Sequence, residues 1–138
     1  MNLLSSRCAG SLIGLVFIWV GVQHFTNTAW FEPIVPDVLG SPTFWVWLTG
    51  VMEMGLGLGL MVRHCRRRAA LLTAGFLVGV YWANLNMWVN NLAIGGQTYG
   101  HAWHIGRLFA QLGLIGLCLL IAGSLEEEPL RWDDAGSV

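Results

Sequence analysis

Four apolar stretches, each about as long as a bilayer-spanning helix, constrain this chain more than any other feature of its sequence. They lie at about residues 3–25, 42–62, 69–89 and 103–123. Only 11% of the 138 residues are charged, against roughly 25% in soluble domains. Backbone polar groups in lipid must be satisfied within the segment that crosses it. The sequence therefore predicts an all-α protein, an integral membrane four-transmembrane-helix bundle over residues 1–125, followed by a polar, acidic tail at 126–138.

The first stretch has a second interpretation, as a secretory signal peptide. Its apolar run from Cys8 to Val22 is longer than the core of most signal peptides, and no A-x-A cleavage pattern follows it. We therefore expect a first transmembrane helix that ends near Gln23 and His24.

The arginines predict the orientation of the bundle. One side of a four-span topology collects Arg7, Arg63, Arg66, Arg67, Arg68 and Arg131, and Arg107 alone falls on the other side. The positive-inside rule then places both termini in the cytoplasm. A formal net charge of -1 argues against a nucleic-acid partner, so the basic turn is interpreted as a topological anchor. The opposite interface collects an aromatic belt of Trp30, Trp45, Trp47, Trp88 and Trp103.

Polar residues concentrate in the half of the spans that lies toward the predicted outer face. Glu53 is near the middle of a glycine-rich apolar run, Gly50–Leu60, where a carboxyl group is costly and needs a partner or a function. The candidate ligand-binding residues are His24, Glu53, Asn84, Asn86, His104, Arg107 and Gln111. All four helices contribute to this set, which predicts a polar pocket in the outer half of the bundle.

Each of these residues also has a structural interpretation. Glu53 can be protonated and hydrogen-bonded to Asn84 or to a backbone carbonyl, as a polar clamp between helices. Arg107 can extend to the outer headgroups, or it can pair with Glu53 or with a ligand. Asn84 and Asn86 can be interhelical hydrogen-bonding groups without a ligand. The sequence leaves these alternatives open.

The sequence predicts no metal site and no covalently bound cofactor. His24, His101 and His104 have no recognised ligand spacing. Cys8, Cys65 and Cys118 form no C-x-x-C pair and are interpreted as small apolar residues.

Several motifs resemble the DoxX family of small four-helix membrane proteins. They are Gly21-x-x-His24-Phe25, Phe31-Glu32-x-Ile34-Val35-Pro36, Gly50-x-x-Glu53-x-x-Leu56-Gly57-Leu58 and, after a basic turn, Ala83-Asn84-x-x-Met87. The resemblance implies a multi-pass protein of the bacterial cytoplasmic (inner) membrane. It also implies a redox-associated subunit, with His24, Glu53, Asn84 and Arg107 as the place for a quinone or a lipid headgroup.

Three functions of different classes follow from these features. The first is a redox-associated membrane subunit that binds a quinone or lipid-like ligand; the chain has no flavin, nucleotide or haem motif, so a partner would supply the cofactor. The second is a structural or assembly subunit, because Gly55-x-x-x-Gly59 and Gly75-x-x-x-Gly79 are typical of close helix packing. A small transporter is third. Beyond the lipid bilayer, the expected partners are further copies of the chain or a larger membrane complex.

Overall fold

The structure is a computed structural model that describes residues 3–125. The acidic tail at 126–138, including Arg131, lies outside the described residues. Four long helices carry the fold: α1 (Leu3–Thr26), α3 (Pro42–Met61), α4 (Arg66–Val89) and α5 (His101–Ser124), with a short α2 (Thr28–Phe31) after α1. All four are long and apolar enough to cross a membrane. The prediction of an all-α protein with four long apolar helices is confirmed.

Helices α1 and α3 cross in an antiparallel pair at four glycines. A methyl group on Gly14 would lie 2.6 Å from the carbonyl oxygen of Gly57, and one on Gly57 would lie 2.6 Å from that of Gly14. Gly21 and Gly50 form a second reciprocal pair, with corresponding distances of 2.8 and 3.0 Å. Both pairs bring backbone against backbone, which only glycine permits without moving the helices. The two helices are therefore fixed at a short separation.

The turn between α3 and α4 marks one end of the bundle, which we call the arginine end and define by Arg63–Arg68. Arg66 is buried there, and its guanidinium donates from Nε to the carbonyl of Leu60 at 2.6 Å and from Nη2 to that of Met61 at 2.8 Å. The last carbonyls of a helix have no partner within the helix. Arg66 thus closes the end of α3 from within the bundle.

The interior near the arginine end is apolar and tightly packed. Its buried members come from α1, α3, α4 and α5 and are Ile13, Phe17, Leu60, Ala69, Ala70, Ala74, Leu77, Cys118, Ile121 and Ala122. Many large apolar side chains instead face outward, including Leu12, Trp19, Leu72 and Phe109. Apolar side chains both inside and outside are what a helix bundle in lipid presents.

The opposite end, which we call the tryptophan end and define by Trp30, Trp45, Trp47, Trp88 and Trp103, is covered by irregular segments. Two 3-10 turns, Glu32–Ile34 and Asp37–Leu39, lead from α2 to α3. Ile34 is buried there against Met87 of α4 and Ile94 of the connection to α5. These segments therefore form a cover over this end of the bundle.

Candidate functional site

A cavity of about 460 Å³ lies under this cover at the tryptophan end. Its walls come from α1, α3, α4, the segment between α1 and α3 that includes the end of α2, and one residue of α5. The lining residues are Val20, His24, Phe31, Ile34, Val35, Pro36, Leu39, Trp45, Val46, Thr49, Met52, Glu53, Phe76, Gly79, Val80, Trp82, Ala83, Asn84 and Arg107. Most of them are apolar. Four of the sequence-predicted site residues, His24, Glu53, Asn84 and Arg107, share this single space.

Glu53 and His24 contact each other in the lining of the cavity. The Nδ1 atom of His24 lies 3.3 Å from Oε2 of Glu53, and the two side chains are only 9% and 12% exposed. The same Nδ1 lies closer, at 2.9 Å, to the carbonyl oxygen of Val20. Oε2 of Glu53 is buried and has no hydrogen-bond partner within residues 5–125. The carboxyl group of Glu53 therefore lies beside an imidazole, and one of its oxygens has no partner among residues 5–125.

The Phe31 ring fixes His24 from the side of the cover. The two ring centroids are 4.0 Å apart and the planes differ by 19°, a stacked arrangement. Phe31 ends α2, so the position of the imidazole depends on the segment that follows α1 in the chain. Moving that segment would release one wall of the cavity.

Asn84 is held by a hydrogen-bonded chain that runs through Gln111. Asn84 donates from Nδ2 to Oε1 of Gln111 at 2.5 Å, and Gln111 donates from Nε2 to the carbonyl of Leu77 at 2.7 Å. Both amides are buried. Oδ1 of Asn84 has no hydrogen-bond partner within residues 5–125. The Asn84–Gln111 bond joins α4 to α5, as an interhelical polar contact does, and it leaves one acceptor free in the cavity wall.

Arg107 is the cationic group of the cavity. Its Nη1 donates to the Sδ atom of Met87 at 3.3 Å, and its guanidinium carbon lies 5.2 Å from the Trp103 ring centroid. Within residues 5–125 it forms no ion pair with Glu53, although both line the same cavity. A sulfur and an aromatic face are weak partners for a group with five N–H donors. Arg107 is thus able to donate to an additional acceptor.

Three other predicted residues, Asn86, His104 and Gln111, lie outside the cavity lining. His104 is buried and stacks on Trp88, with ring centroids 5.8 Å apart and planes 7° apart. Asn86 lies at the end of α4, where its Oδ1 accepts from Nδ2 of Asn90 at 2.7 Å. The structure therefore places His104 at the aromatic rim and Asn86 at the helix end. Gln111 reaches the site only through Asn84.

A second cavity, of about 410 Å³, adjoins the first on the side of α1 and α5. Its lining is Trp19, Val20, Gln23, Asn27, Trp30, Phe31 and Arg107. Val20, Phe31 and Arg107 line both cavities. Arg107 therefore stands at the boundary between two spaces at the tryptophan end.

No group of three or more histidine, cysteine or acidic side chains suited to a metal ion occurs within the part of the chain that the structure describes. Cys8 and Cys65 are exposed free thiols, and Cys118 is buried in the apolar core. The chemistry of the site is therefore that of a carboxyl group, an imidazole, an amide and a guanidinium.

Sequence reasoning missed two contributors to the site. Phe31 was noted only within a motif, and its stacking on His24 depends on how the chain turns after α1. The packing role of the α1–α3 glycines was not predicted either, because the G-x-x-x-G pattern indicates Gly55 and Gly75, next to which a methyl group would find nothing within 4 Å. A glycine every seven residues in both helices, at 14 and 21 and at 50 and 57, was the signal available in the sequence.

Comparison with known proteins gives a family without an assigned activity. No curated protein and no solved structure matches the chain significantly. A family profile described as Domain of unknown function (DUF8561) matches residues 13–122, which include all four long helices in whole or in large part and every residue of the candidate site. The chain belongs to the DUF8561 family.

Proposed function

We propose that this protein binds a quinone or a lipid-like ligand in the cavity at the tryptophan end, as a redox-associated subunit of the membrane. One observation carries the proposal: Oε2 of Glu53 and Oδ1 of Asn84 are both buried and unpartnered within residues 5–125, and both residues line one cavity. Leaving a buried polar group unpaired costs about 1–3 kcal/mol. A ligand that supplies the missing hydrogen bonds would recover this cost.

The size and lining of the cavity support a small amphipathic ligand. Its volume of about 460 Å³ lies within the roughly 300–1,000 Å³ of small-molecule sites. Its walls are mostly apolar, with a few converging polar groups, which is the usual composition of such sites. Trp45 and Met52 of α3 and Trp82 of α4 line it and would contact an apolar ring or chain.

The topology and location belong to the same proposal. With the arginine end in the cytoplasm, as the positive-inside rule requires, the cavity lies in the outer half of a bacterial inner membrane and both termini are cytoplasmic. The likeness to the DoxX family supports this location and the redox association. Reporter fusions to each connection test the topology: an alkaline phosphatase fused after Gly96 should be active, and one fused after Arg63 should be inactive. The reverse pattern would contradict it.

The redox role assigns binding to this chain and electron transfer to a partner. Glu53 would accept or relay a proton of the ligand, and Arg107 or His24 would hold a carbonyl or phenolate oxygen. A partner subunit would carry the redox cofactor. The described side chains bind and orient the ligand and exclude water from it.

The first experiment is to identify what the purified protein carries. The protein is extracted in mild detergent, and organic extracts are analysed by mass spectrometry. Stoichiometric quinone or another isoprenoid, present in smaller amounts in Glu53→Gln and in Arg107→Ala, is the expected result. Thr49→Val is the matched control, because Thr49 lines the same cavity while its hydroxyl is bonded to carbonyls within its own helix, at 2.9 and 3.0 Å. Bulk lipid alone, unchanged in the variants, would refute ligand binding.

A second candidate function, assembly with a larger membrane complex, is favoured by unoccupied glycines. A methyl group on Gly55, Gly75 or Gly79 would meet nothing within 4 Å, and all three are exposed. Gly59 differs, because a methyl there would lie 2.8 Å from Cβ of Ala69. Gly55→Leu is therefore the informative variant. Loss of a co-purifying membrane protein in Gly55→Leu but not in Glu53→Gln would favour assembly over ligand binding.

A further inference from the structure

The orientation of the Asn84 amide is fixed by two successive hydrogen bonds, from Asn84 to Gln111 and from Gln111 to the backbone carbonyl of Leu77. The Leu77 carbonyl can only accept, so the Gln111 atom 2.7 Å from it must be the Nε2 donor. The other end of that amide is then an oxygen, and Asn84 must offer it Nδ2. The Asn84 atom that is left without a hydrogen bond within residues 5–125 is its buried oxygen, Oδ1. The chain of bonds therefore leaves an acceptor in the wall.

His24 is fixed by the same reasoning. Its Nδ1 lies 2.9 Å from the Val20 carbonyl oxygen, which can only accept, so Nδ1 carries the hydrogen. In the neutral ring the other nitrogen, Nε2, is then an acceptor. The Nδ1 hydrogen is shared at most weakly with Glu53, whose Oε2 is 3.3 Å away and is not hydrogen-bonded within residues 5–125.

The cavity lining thus combines two residues that have an unpartnered oxygen with one residue that has N–H donors. Glu53 and Asn84 contribute buried, unpartnered oxygens, while Arg107 contributes N–H donors whose present partners are a thioether and an aromatic ring. A ligand that only accepts can use Arg107 but places its remaining oxygen against other acceptors. A ligand with hydroxyl groups can accept from Arg107 and donate to Glu53 or Asn84.

Resting on the ligand site proposed above, we propose that Glu53 is ionised in the complex and that the cavity selects a ligand with hydroxyl donors, so that a quinol binds more tightly than the corresponding quinone. The two forms share ring and side chain and differ in the hydrogen atoms on their oxygens. Because the quinol ring is also aromatic, a third probe with the same aromatic ring but no hydroxyl hydrogens is needed to isolate the donor requirement. By linkage, tighter binding of the reduced form raises the midpoint potential of the bound couple, and a tenfold preference corresponds to about 30 mV for two electrons.

The test measures the affinity of three probes for the full chain in nanodiscs under anaerobic conditions. They are a benzoquinone with one isoprene unit, its reduced quinol and the dimethyl ether of that quinol, which keeps the oxygens but lacks the donors. Isothermal titration calorimetry should give a Kd for the quinol about tenfold below that of the quinone, the factor equivalent to about 1.4 kcal/mol. The dimethyl ether should bind no better than the quinone.

Two variants locate the selectivity. Glu53→Gln should reduce the quinol preference to about threefold or less, because its amide also brings a donor to the wall. Thr49→Val, in the same cavity, should keep the full preference. Quinone binding as tight as quinol, or dimethyl ether binding as tight as quinol, would overturn the donor requirement and leave the proposed site intact. Failure of all three probes to bind would instead overturn the proposed quinone site itself.

Discussion

Replacing Gly57 with alanine should destabilise the bundle because it separates α1 from α3. The new methyl group would lie 2.6 Å from the Gly14 carbonyl oxygen, 2.8 Å from Cγ1 of Ile18 and 3.1 Å from its backbone nitrogen. Two of these three atoms belong to the backbone of α1, so no rotamer change removes the overlap. Ordinary contact at about 3.5–4.0 Å would require the two atoms to move apart by about 1 Å.

The magnitude follows from two opposing effects. Alanine is the better helix former by roughly 0.5–1 kcal/mol, which favours the variant. Overpacking of a close contact typically costs about 1–3 kcal/mol, and here two backbone atoms resist it. The net expectation is a loss of roughly 1–2 kcal/mol in the free energy of unfolding.

Gly55→Ala provides the matched control two residues away on the same helix. A methyl group there would meet nothing within 4 Å, so only the gain in helix propensity remains, and the variant should be as stable as the original chain or slightly more so. Reversible unfolding in mixed micelles with increasing sodium dodecyl sulfate, followed by circular dichroism, measures both variants. Equal stability of Gly57→Ala and Gly55→Ala would refute the assignment of the crossing point.

Three further predictions concern side chains at and around the site. Arg66→Met should lower the free energy of unfolding by about 3 kcal/mol, since it removes two charge-assisted hydrogen bonds to the end of α3. Arg66→Lys should lower it by less, and an equal loss of stability in the two variants would contradict this account. Gln111→Leu should cost about 1–3 kcal/mol in the same assay because it strands the donor of Asn84, and no loss would argue against the buried bond. Phe31→Ala should accelerate ligand release about two- to tenfold in stopped-flow measurements, a range that corresponds to the interaction energy of one aromatic stack on His24. An unchanged release rate would show that Phe31 does not retain the ligand.

The helices were predictable because lipid-spanning segments are defined by length and apolar composition. The second span was expected at 42–62 and α3 runs from Pro42 to Met61, while the third was expected from 69 and α4 begins at Arg66. The difference at α4 has a physical reason. The sequence predicts all the arginines of 63–68 in a turn, but Arg66 is the first residue of α4 and is buried in the bundle. Its guanidinium donates to the last carbonyls of α3, and these hydrogen bonds offset the cost of burying its charge.

The site was only partly predictable, because hydropathy does not fix the rotation of a helix about its axis. Depth along the spans predicts Glu53 near the middle of the bundle and Asn84 and Arg107 in its outer half, and the structure adds that all three line one cavity. It also separates Asn84 from Asn86, which are two residues apart and therefore face different directions on a helix. Asn84 is bonded to Gln111, whereas Asn86 bonds Asn90 at the helix end.

The close approach of His24 and Glu53 follows from the geometry of the glycine crossing. Each lies three residues after a crossing glycine, Gly21 in α1 and Gly50 in α3, and so lies on the same face of its helix as that glycine. Helical side chains lean toward the N-terminus of their own helix, and because the helices are antiparallel these two lean toward each other. A methyl on Gly50 would lie 2.8 Å from Cβ of His24. The contact between the imidazole and the carboxyl group therefore requires that Gly50 has no side chain. The same helix crossing that stabilises the bundle also positions His24 and Glu53 in the cavity lining.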